Sequence, residues 1–336
     1  MPVKVSVIIP VYNAENFLQH CIDSVTAQTL QEIEIIIVND GCTDKSGLIM
    51  QQAASSDNRI VIIDSLNEGV SAARNKALSV AKGAYTGFMD ADDWAEPSMF
   101  EKLHKAASLH DASVAVCNLC RNGNTYKTKV LSLKKETKDI AEDKETIITE
   151  MLDFKYDYSA CNKIYRNDLI AKYHLRFEEK LKVWEDLLFN LHYMYHSQKI
   201  AVIADCLYNY RVNDNSVTAG YKDNLAVEYN RVFENYLAYL ASRGENILAT
   251  AFTKKMAGLC YYSFIPLIVA NFRTKKLSFF SFVKTLQTEL SQFNPAMFVF
   301  NKQELSGLQG FKKTLLTKRS FRLYAVMVGI KYFFQK

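Results

Sequence analysis

Short apolar runs alternate with helical periodicities through the first 118 residues, and that alternation leaves few folds open. Val3 to Pro10 is short, apolar and β-branched, as a buried strand requires. Glu15 to Ala27 then places Phe17, Leu18, Cys21, Ile22 and Val25 at helical spacing. Ile33 to Val38, Ile60 to Ile63, Tyr85 to Met89 and Ser113 to Cys117 read as further buried strands. Helical patterns starting near Lys45 and covering Val70 to Ala81 and Ser98 to Leu109 fill the gaps. Strand, helix, strand repeated in this way predicts an α/β fold, a mainly parallel sheet with helices on both faces. In such sheets ligands sit at the carboxyl ends of the strands.

The alternation weakens further on. Arg121 to Lys144 is polar and rich in Lys and Thr, which suits a loop or peripheral hairpin. Ile164 and Tyr165 suit a strand, Asp186 to Tyr195 a helix, and Ile200 to Ile203 and Leu207 to Tyr210 two more strands. From about Tyr221 the pattern is helical and rich in Tyr and Phe. The expected organisation is one α/β domain over 1–218 and a helical region over 219–336.

Polar clusters mark the predicted strand ends. The first strand closes on Pro10-Val11-Tyr12-Asn13-Ala14-Glu15, where Tyr12 offers a flat face to a base and Glu15 suits a helix N-terminus. A capped turn explains the same residues. The second closes on Asn39-Asp40-Gly41, whose carboxylate can accept from a uracil N–H or a ribose hydroxyl, or simply make an Asp-Gly turn. Arg74 follows Gly69 by about one helical turn and can approach a diphosphate, or lie on a helix surface. The fourth strand runs into Asp90-Ala91-Asp92-Asp93. Carboxylates so close at the end of an apolar strand repel one another and call for a cation; oxygen ligands suit Mg²⁺ or Mn²⁺ bridging two phosphates. Downstream, Trp184-Glu185-Asp186 opens a helix, where Asp186 can serve as a general base or as an N-terminal charge.

Charge excludes little in bulk, since 41 basic against 36 acidic residues give only +5, too mild an excess to indicate nucleic acid. Its distribution says more. After Glu304 there is no acidic residue, and Lys312, Lys313, Lys318, Arg319, Arg322, Lys331 and Lys336 interleave with apolar positions. Such a segment can lie on an anionic membrane, pack in an oligomer, or be a packed helix with a solvated basic face. The seven cysteines show no metal-ligand spacing: Cys117 and Cys120 make one C-x-x-C with no second pair, and the rest are scattered, as free thiols in a reducing cytoplasm would be. The N-terminus has no secretory signal pattern, and the longest apolar stretch, Met256 to Ala270, is shorter than a membrane span. A cytoplasmic protein, at most peripheral on the inner face of the membrane, is expected.

The ordered set VSVIIPVYNAENFLQHCIDSVTAQTL, IEIIIVNDGCTDKS, NEGVSAARNKAL, GAYTGFMDADDW and WEDLLF resembles the family 2 glycosyltransferases. CNKIYR at Cys161 to Arg166 and YNYRVNDNSVT at Tyr208 to Thr218 are similar to its bacterial cell-surface members. The resemblance covers about residues 3 to 218. It implies a GT-A fold, Rossmann-like, and an inverting transfer from a nucleotide-sugar, with UDP the family habit, to a glycan or lipid-linked acceptor. It further implies that Pro10, Tyr12 and Asp40 line a nucleoside pocket with Glu15 nearby, and that Arg74 sits by base or diphosphate. Asp90-Ala91-Asp92 would be the DxD motif, with Asp90 on ribose or metal-bound water and Asp92 on Mn²⁺ or Mg²⁺. Asp186 would be the base, with Trp184 and Glu185 on the acceptor side. Where the family often has Ser and Gly, this chain has Cys42 and Trp184.

Two other readings fit parts of the pattern. A sugar-1-phosphate nucleotidyltransferase shares such a sheet but carries a Gly-rich basic loop after its first strand, where this chain reads PVYNAEN. A non-catalytic scaffold subunit would have no need of Asp90, Asp92 and Asp186 together.

Overall fold

The computed structural model describes residues 2–123, 127–129, 133, 136–139, 143–153, 155–212, 224–273, 277–298 and 307–334. The chain divides into two compact units, Met1–Asp214 and Asn215–Lys336.

The first unit runs β1 (Val5–Val11), α1 (Leu18–Thr26), β2 (Ile33–Asp40), α2 (Ser46–Ser56), β3 (Ile60–Ser65), α3 (Val70–Leu78), β4 (Tyr85–Phe88), β5 (Trp94–Ala95), α4 (Met99–His110) and β6 (Val114–Asn122). It continues with β7 (Lys127–Lys129), β8 (Glu136–Asp139), α5 (Lys144–Leu152), β9 (Lys163–Arg166), α6 (Asn167–Lys172), α7 (Glu185–His196) and β10 (Lys199–Arg211). The strands form one sheet in the order β3-β2-β1-β4-β9-β6-β10-β5, with β7 added to β6 and β8 to β10. The first four are parallel, and β6 and β10 are parallel to each other. The short β9 joins the two blocks and is antiparallel to both β4 and β6. Val5, Val7, Ile8 and Ile9 of β1 and Ile35 to Val38 of β2 are nearly inaccessible, so both faces of the inner sheet are covered. That is why these strands read as continuous apolar runs rather than alternating ones.

Three local expectations change. Ile200 to Ile203 and Leu207 to Tyr210 are one strand, β10, whose register against β6 shifts on either side of Cys206. The interruption of the apolar run by Ala204-Asp205-Cys206 at the irregularity made one strand look like two. The region expected as a loop or peripheral hairpin, Arg121 to Lys144, begins with the last two residues of β6 and contributes β7, paired with β6, and β8, paired with β10. Its residues 124–126, 130–132, 134–135 and 140–142 lie outside those described. Cys120 and Cys206, expected as free thiols, form a disulfide between the neighbouring strands β6 and β10. A spacing of 86 residues hides a pairing that only strand adjacency creates. Cys21, Cys42, Cys117, Cys161 and Cys260 are free.

The second unit contains α8 (Leu225–Ala241), α9 (Asn246–Leu259), α10 (Ile265–Arg273), α11 (Phe279–Gln292), α12 (Gly307–Thr317) and α13 (Phe321–Phe334). Its core is aromatic, with Tyr229 stacked on Phe264 at 4.1 Å and Phe233 on Phe252 at 5.7 Å. A wide π-helical turn, Cys260–Phe264, joins α9 to α10 immediately before Pro266, a residue that cannot supply a helical N–H. Among the described residues no helix is long and apolar enough to cross a membrane. In the basic tail, Leu315, Leu316, Phe321 and Tyr324 are buried in the unit, while Lys318, Arg319 and Arg322 are exposed. Lys336 lies outside the described residues.

Candidate functional site

The site is built from the carboxyl ends of β1, β2 and β4 and the N-termini of α3 and α7. At the end of β1, Tyr12 is about half exposed, and Pro10 lies opposite Val38 of β2. Asn13 adopts the left-handed region (φ 47°), and its Oδ1 accepts the Thr43 N–H at 2.8 Å. Glu15 accepts from the Lys45 N–H at 2.9 Å. Cys42 does what a serine would: its S–H donates to the Val11 carbonyl at 3.3 Å and its sulfur accepts from the Asn13 N–H at 3.4 Å. The two loops above β1 and β2 are thus cross-linked.

Asp40 ends β2 and is almost fully buried. Its two oxygens accept the Glu68 and Gly69 N–H groups, each at 2.8 Å. A carboxylate at the amide-rich start of a helix is favourably placed. The next residue, Gly41, has φ +75°, and a Cβ there would lie 2.9 Å from the Asn67 nitrogen, so the turn needs glycine. Asp40 therefore fixes the start of α3, and α3 carries Arg74.

Arg74 is not a surface residue: it is 2% exposed. Its Nη1 donates to Asp186 Oδ1 at 2.6 Å and to Glu185 Oε1 at 3.3 Å, and its Nη2 donates to Asp90 Oδ1 at 3.0 Å. The guanidinium lies over the Phe177 ring, 5.1 Å from its centroid. Asn75 holds that ring in place, accepting the Phe177 N–H and donating to its carbonyl, both at 2.9 Å. Phe177 in turn stacks on Phe189 of α7 at 4.2 Å. One buried cation so joins the end of β4, 16 residues after it, to the start of α7, 112 residues after it. Burial opposes its charge, but Asp186 and Asp90 outweigh it and hold the pKa well above the ordinary arginine value.

The acidic triplet separates into three roles. Asp90 pairs with Arg74. Asp93 is fully buried, accepts the Tyr208 hydroxyl at 2.5 Å and the Arg211 N–H at 2.7 Å, and ties the loop to β10. Burial and then the charges of Asp90 and Asp92 push its pKa well up. Asp92 has no side-chain partner among the described residues apart from its own backbone N–H; burial and then Asp90 raise its pKa. Ala91 between them is nearly buried. Arg211 reaches the same loop, donating Nε–H to the Asp92 carbonyl at 2.8 Å while lying 4.7 Å from the centroid of the Trp94 ring. Of the YNYRVNDNSVT segment, only residues up to Val212 are among those described.

Among the described residues no group of three His, Cys, Asp or Glu is arranged to hold a metal ion. Asp92 still suits one: a hard divalent ion commonly takes one or two carboxylates and completes its shell with water and substrate phosphates.

Asp186 begins the first turn of α7 with Glu185. Its Oδ2 accepts the Ala160 N–H at 3.0 Å, and its side chain is about 15% exposed. Burial raises its pKa, Arg74 lowers it, Glu185 and Asp90 raise it again, and the result is about 7. A carboxylate of that pKa is matched to proton abstraction near neutrality. Trp184, immediately before, is half-buried with φ 67°. A left-handed residue at this helix start is where glycine is easiest, which explains the family's usual residue there.

The structure brings Arg74, Asp90, Glu185 and Asp186 into direct contact; Asp92 lies beside them, and Tyr12 and Glu15 lie on the neighbouring loops. Asn75, Phe177, Tyr208 and Arg211 are supporting residues that the sequence does not single out, and Asp93, expected among the carboxylates that call for a cation, instead accepts from Tyr208 and Arg211. Asn75, Tyr208 and Arg211 stand inside the motifs NEGVSAARNKAL and YNYRVNDNSVT, and that membership is their only sequence signal.

Comparison with known proteins identifies the family and supports the fold. The model of the family described as glycosyl transferase family 2 matches residues 6–174. The glycosyltransferase EpsJ of Bacillus subtilis (strain 168) is 31% identical over 278 residues, 80% of this chain and 77% of its own. EpsH of the same organism is 31% identical over 70% of this chain and 69% of its own. The crystal structure of S. aureus TarS residues 1–349 in complex with UDP-GlcNAc superposes with a TM-score of 0.72 at 19% identity, covering 98% of this chain and 91% of that one. At that identity the likeness speaks for the fold.

Proposed function

The chain belongs to glycosyl transferase family 2, and from that premise we propose that it is an inverting enzyme acting on a UDP-sugar. The sugar passes to a hydroxyl of a glycan or lipid-linked acceptor of the bacterial envelope. The observation that carries this reading is the Arg74 bridge, which holds the Asp90 end of the DxD motif and Asp186 in one electrostatic unit.

Asp186 Oδ is the base. It takes the proton of the acceptor hydroxyl as that oxygen attacks the anomeric carbon from the face opposite the leaving nucleoside diphosphate. Arg74 and the Ala160 N–H favour its ionised form, while burial keeps it basic. Tyr12 and Pro10 line the base, Asp40 sets the α3 entry beside it, and Glu15 braces the adjoining loop. Asp92 would hold Mn²⁺ or Mg²⁺, with Asp90 on ribose or a water of the ion. Bound there, the ion would supply positive charge to the departing diphosphate. Trp184 and Glu185 stand on the acceptor side of Asp186. The UDP-GlcNAc complex of the TarS fold supports a UDP-sugar as donor. In the helical unit the exposed Lys318, Arg319 and Arg322 suit an anionic membrane surface better than insertion, since Leu315, Leu316, Phe321 and Tyr324 of that segment are packed inward.

Calorimetric titration of UDP with and without Mn²⁺, on the wild type and on Asp92→Ala, tests the donor site. Metal-dependent binding that the variant loses is expected. Absence of UDP binding under every metal condition would refute the reading.

A further inference from the structure

Lys163, on β9, is fully buried, and among the described residues no carboxylate lies within ion-pair distance of it. A buried ammonium is costly unless all its protons are bonded. Here they are: Nζ donates to the Asp157 carbonyl at 2.9 Å, the Ser159 carbonyl at 2.7 Å and Asn162 Oδ1 at 2.6 Å. All three acceptors belong to one loop, 157–162. That loop begins in a left-handed residue, Asp157 (φ 58°), whose carboxylate accepts the Ser159 N–H at 2.6 Å. It is the loop that presents the Ala160 N–H to Asp186. A second anchor comes from α7 itself: Asn190 Nδ2 donates to the Tyr158 carbonyl at 2.8 Å and to the Asp186 carbonyl at 2.9 Å. Tyr165, two residues after Lys163, donates to Asn190 Oδ1 at 2.8 Å and closes the network.

We infer that Lys163 is a positioning residue for Asp186: by gathering three oxygens of the 157–162 loop at one point, it sets the Ala160 N–H on the Asp186 carboxylate. The inference rests on Asp186 being the base. A lysine suits the task because a compact ammonium can serve three oxygens converging on one point, whereas the planar fork of arginine cannot. Its charge also acts on Asp186 directly. The titratable groups facing Asp186 are Arg74 from α3, Asp90 after β4, Glu185 on its own helix, Tyr158 and Cys161 on the loop, and Lys163 and Tyr165 on β9. Of these only Arg74 and Lys163 are cationic. Lys163 is itself pushed down to about 8 by burial, with Asp157 and Asp186 resisting the fall.

The test reads the Ala160 amide by nuclear magnetic resonance of the full chain labelled with ¹⁵N-alanine, the signal being assigned by its disappearance in Ala160→Gly. In the wild type its shift is expected to follow pH with a midpoint near 7 and to lose that response in Asp186→Asn. In Lys163→Met the response should vanish, or its midpoint should rise by about one pH unit, since the ionised form loses both a hydrogen bond and a nearby cation. A folded Lys163→Met protein with an unaltered Ala160 titration overturns the inference. Should that variant fail to fold, Lys163→Gln, uncharged but still a donor, is read by the same criterion. Turnover of Asp186→Asn reports separately on the base, so failure there leaves the amide result interpretable by itself.

Discussion

In the parallel block β3-β2-β1-β4, the site residues lie at the carboxyl ends of their own strands or on the turns that follow. Asp40 ends β2, and Tyr12 and Asp90 follow β1 and β4 within two residues. Across β9 the arrangement differs. Asp186 is set by Ala160 from a loop, by Arg74 from α3, itself backed by Phe177 from a connection, and by Asn190 from its own helix, so its partners come from segments far apart in the chain. The first half presents groups by local chain geometry; the second assembles one group's environment from distant pieces. A site built the first way tolerates loss of a single side chain with its neighbours intact. A site built the second way should respond collectively.

The largest expected effect is on the assembled half. Asp186→Asn keeps the shape and removes the base, so turnover should fall by about two orders of magnitude or more while calorimetric UDP affinity stays put. Full turnover would take Asp186 out of the mechanism and dissolve the contrast. Arg74→Met should come next, because it strands three carboxylates that share one cation. Denaturant unfolding should register a loss of about 3–5 kcal/mol, as for breaking a buried ion pair. If the variant is as stable as the wild type, Arg74 is not the link between the two halves.

The pH dependence sharpens the same point. Asp186 must be ionised to act, and its pKa of about 7 is held up by burial. Turnover should therefore decline as pH falls through 7, and in Arg74→Met that limb should move to higher pH, since the cation that lowers the pKa is gone. A profile flat from pH 5 to 8 in the wild type would contradict this. The smallest effect belongs to Trp184→Ala, which should weaken use of the acceptor and leave UDP binding unchanged. Equal loss of both would place Trp184 in the fold alone.

The two halves also differ in how much of them could be read from the chain. Gly41 and Asp40 announce a turn at the end of an apolar run, and the turn is there. Asp90-Ala91-Asp92 follows β4 as its position suggests. The division of labour within the triplet was not legible: Asp93 turns inward to Tyr208, which lies 115 residues away, Asp90 turns to Arg74, and Asp92 has no other side chain as partner among the described residues. Arg74 read equally well as a surface residue, because nothing near it in sequence predicts the three carboxylates it meets.

What the amino-acid order settled by itself is what depends on neighbours along the chain: strands from apolar runs, helices from their period, turns from Asp-Gly, and the family from its ordered motifs. What only the tertiary structure decided is which charges are buried and with whom. The Cys120–Cys206 bond and the Arg74 cluster both arise where residues distant in sequence share a dry space. In such a space a charge is stable only beside its partners, so those partners, and the pKa of Asp186 with them, exist only once the chain has folded.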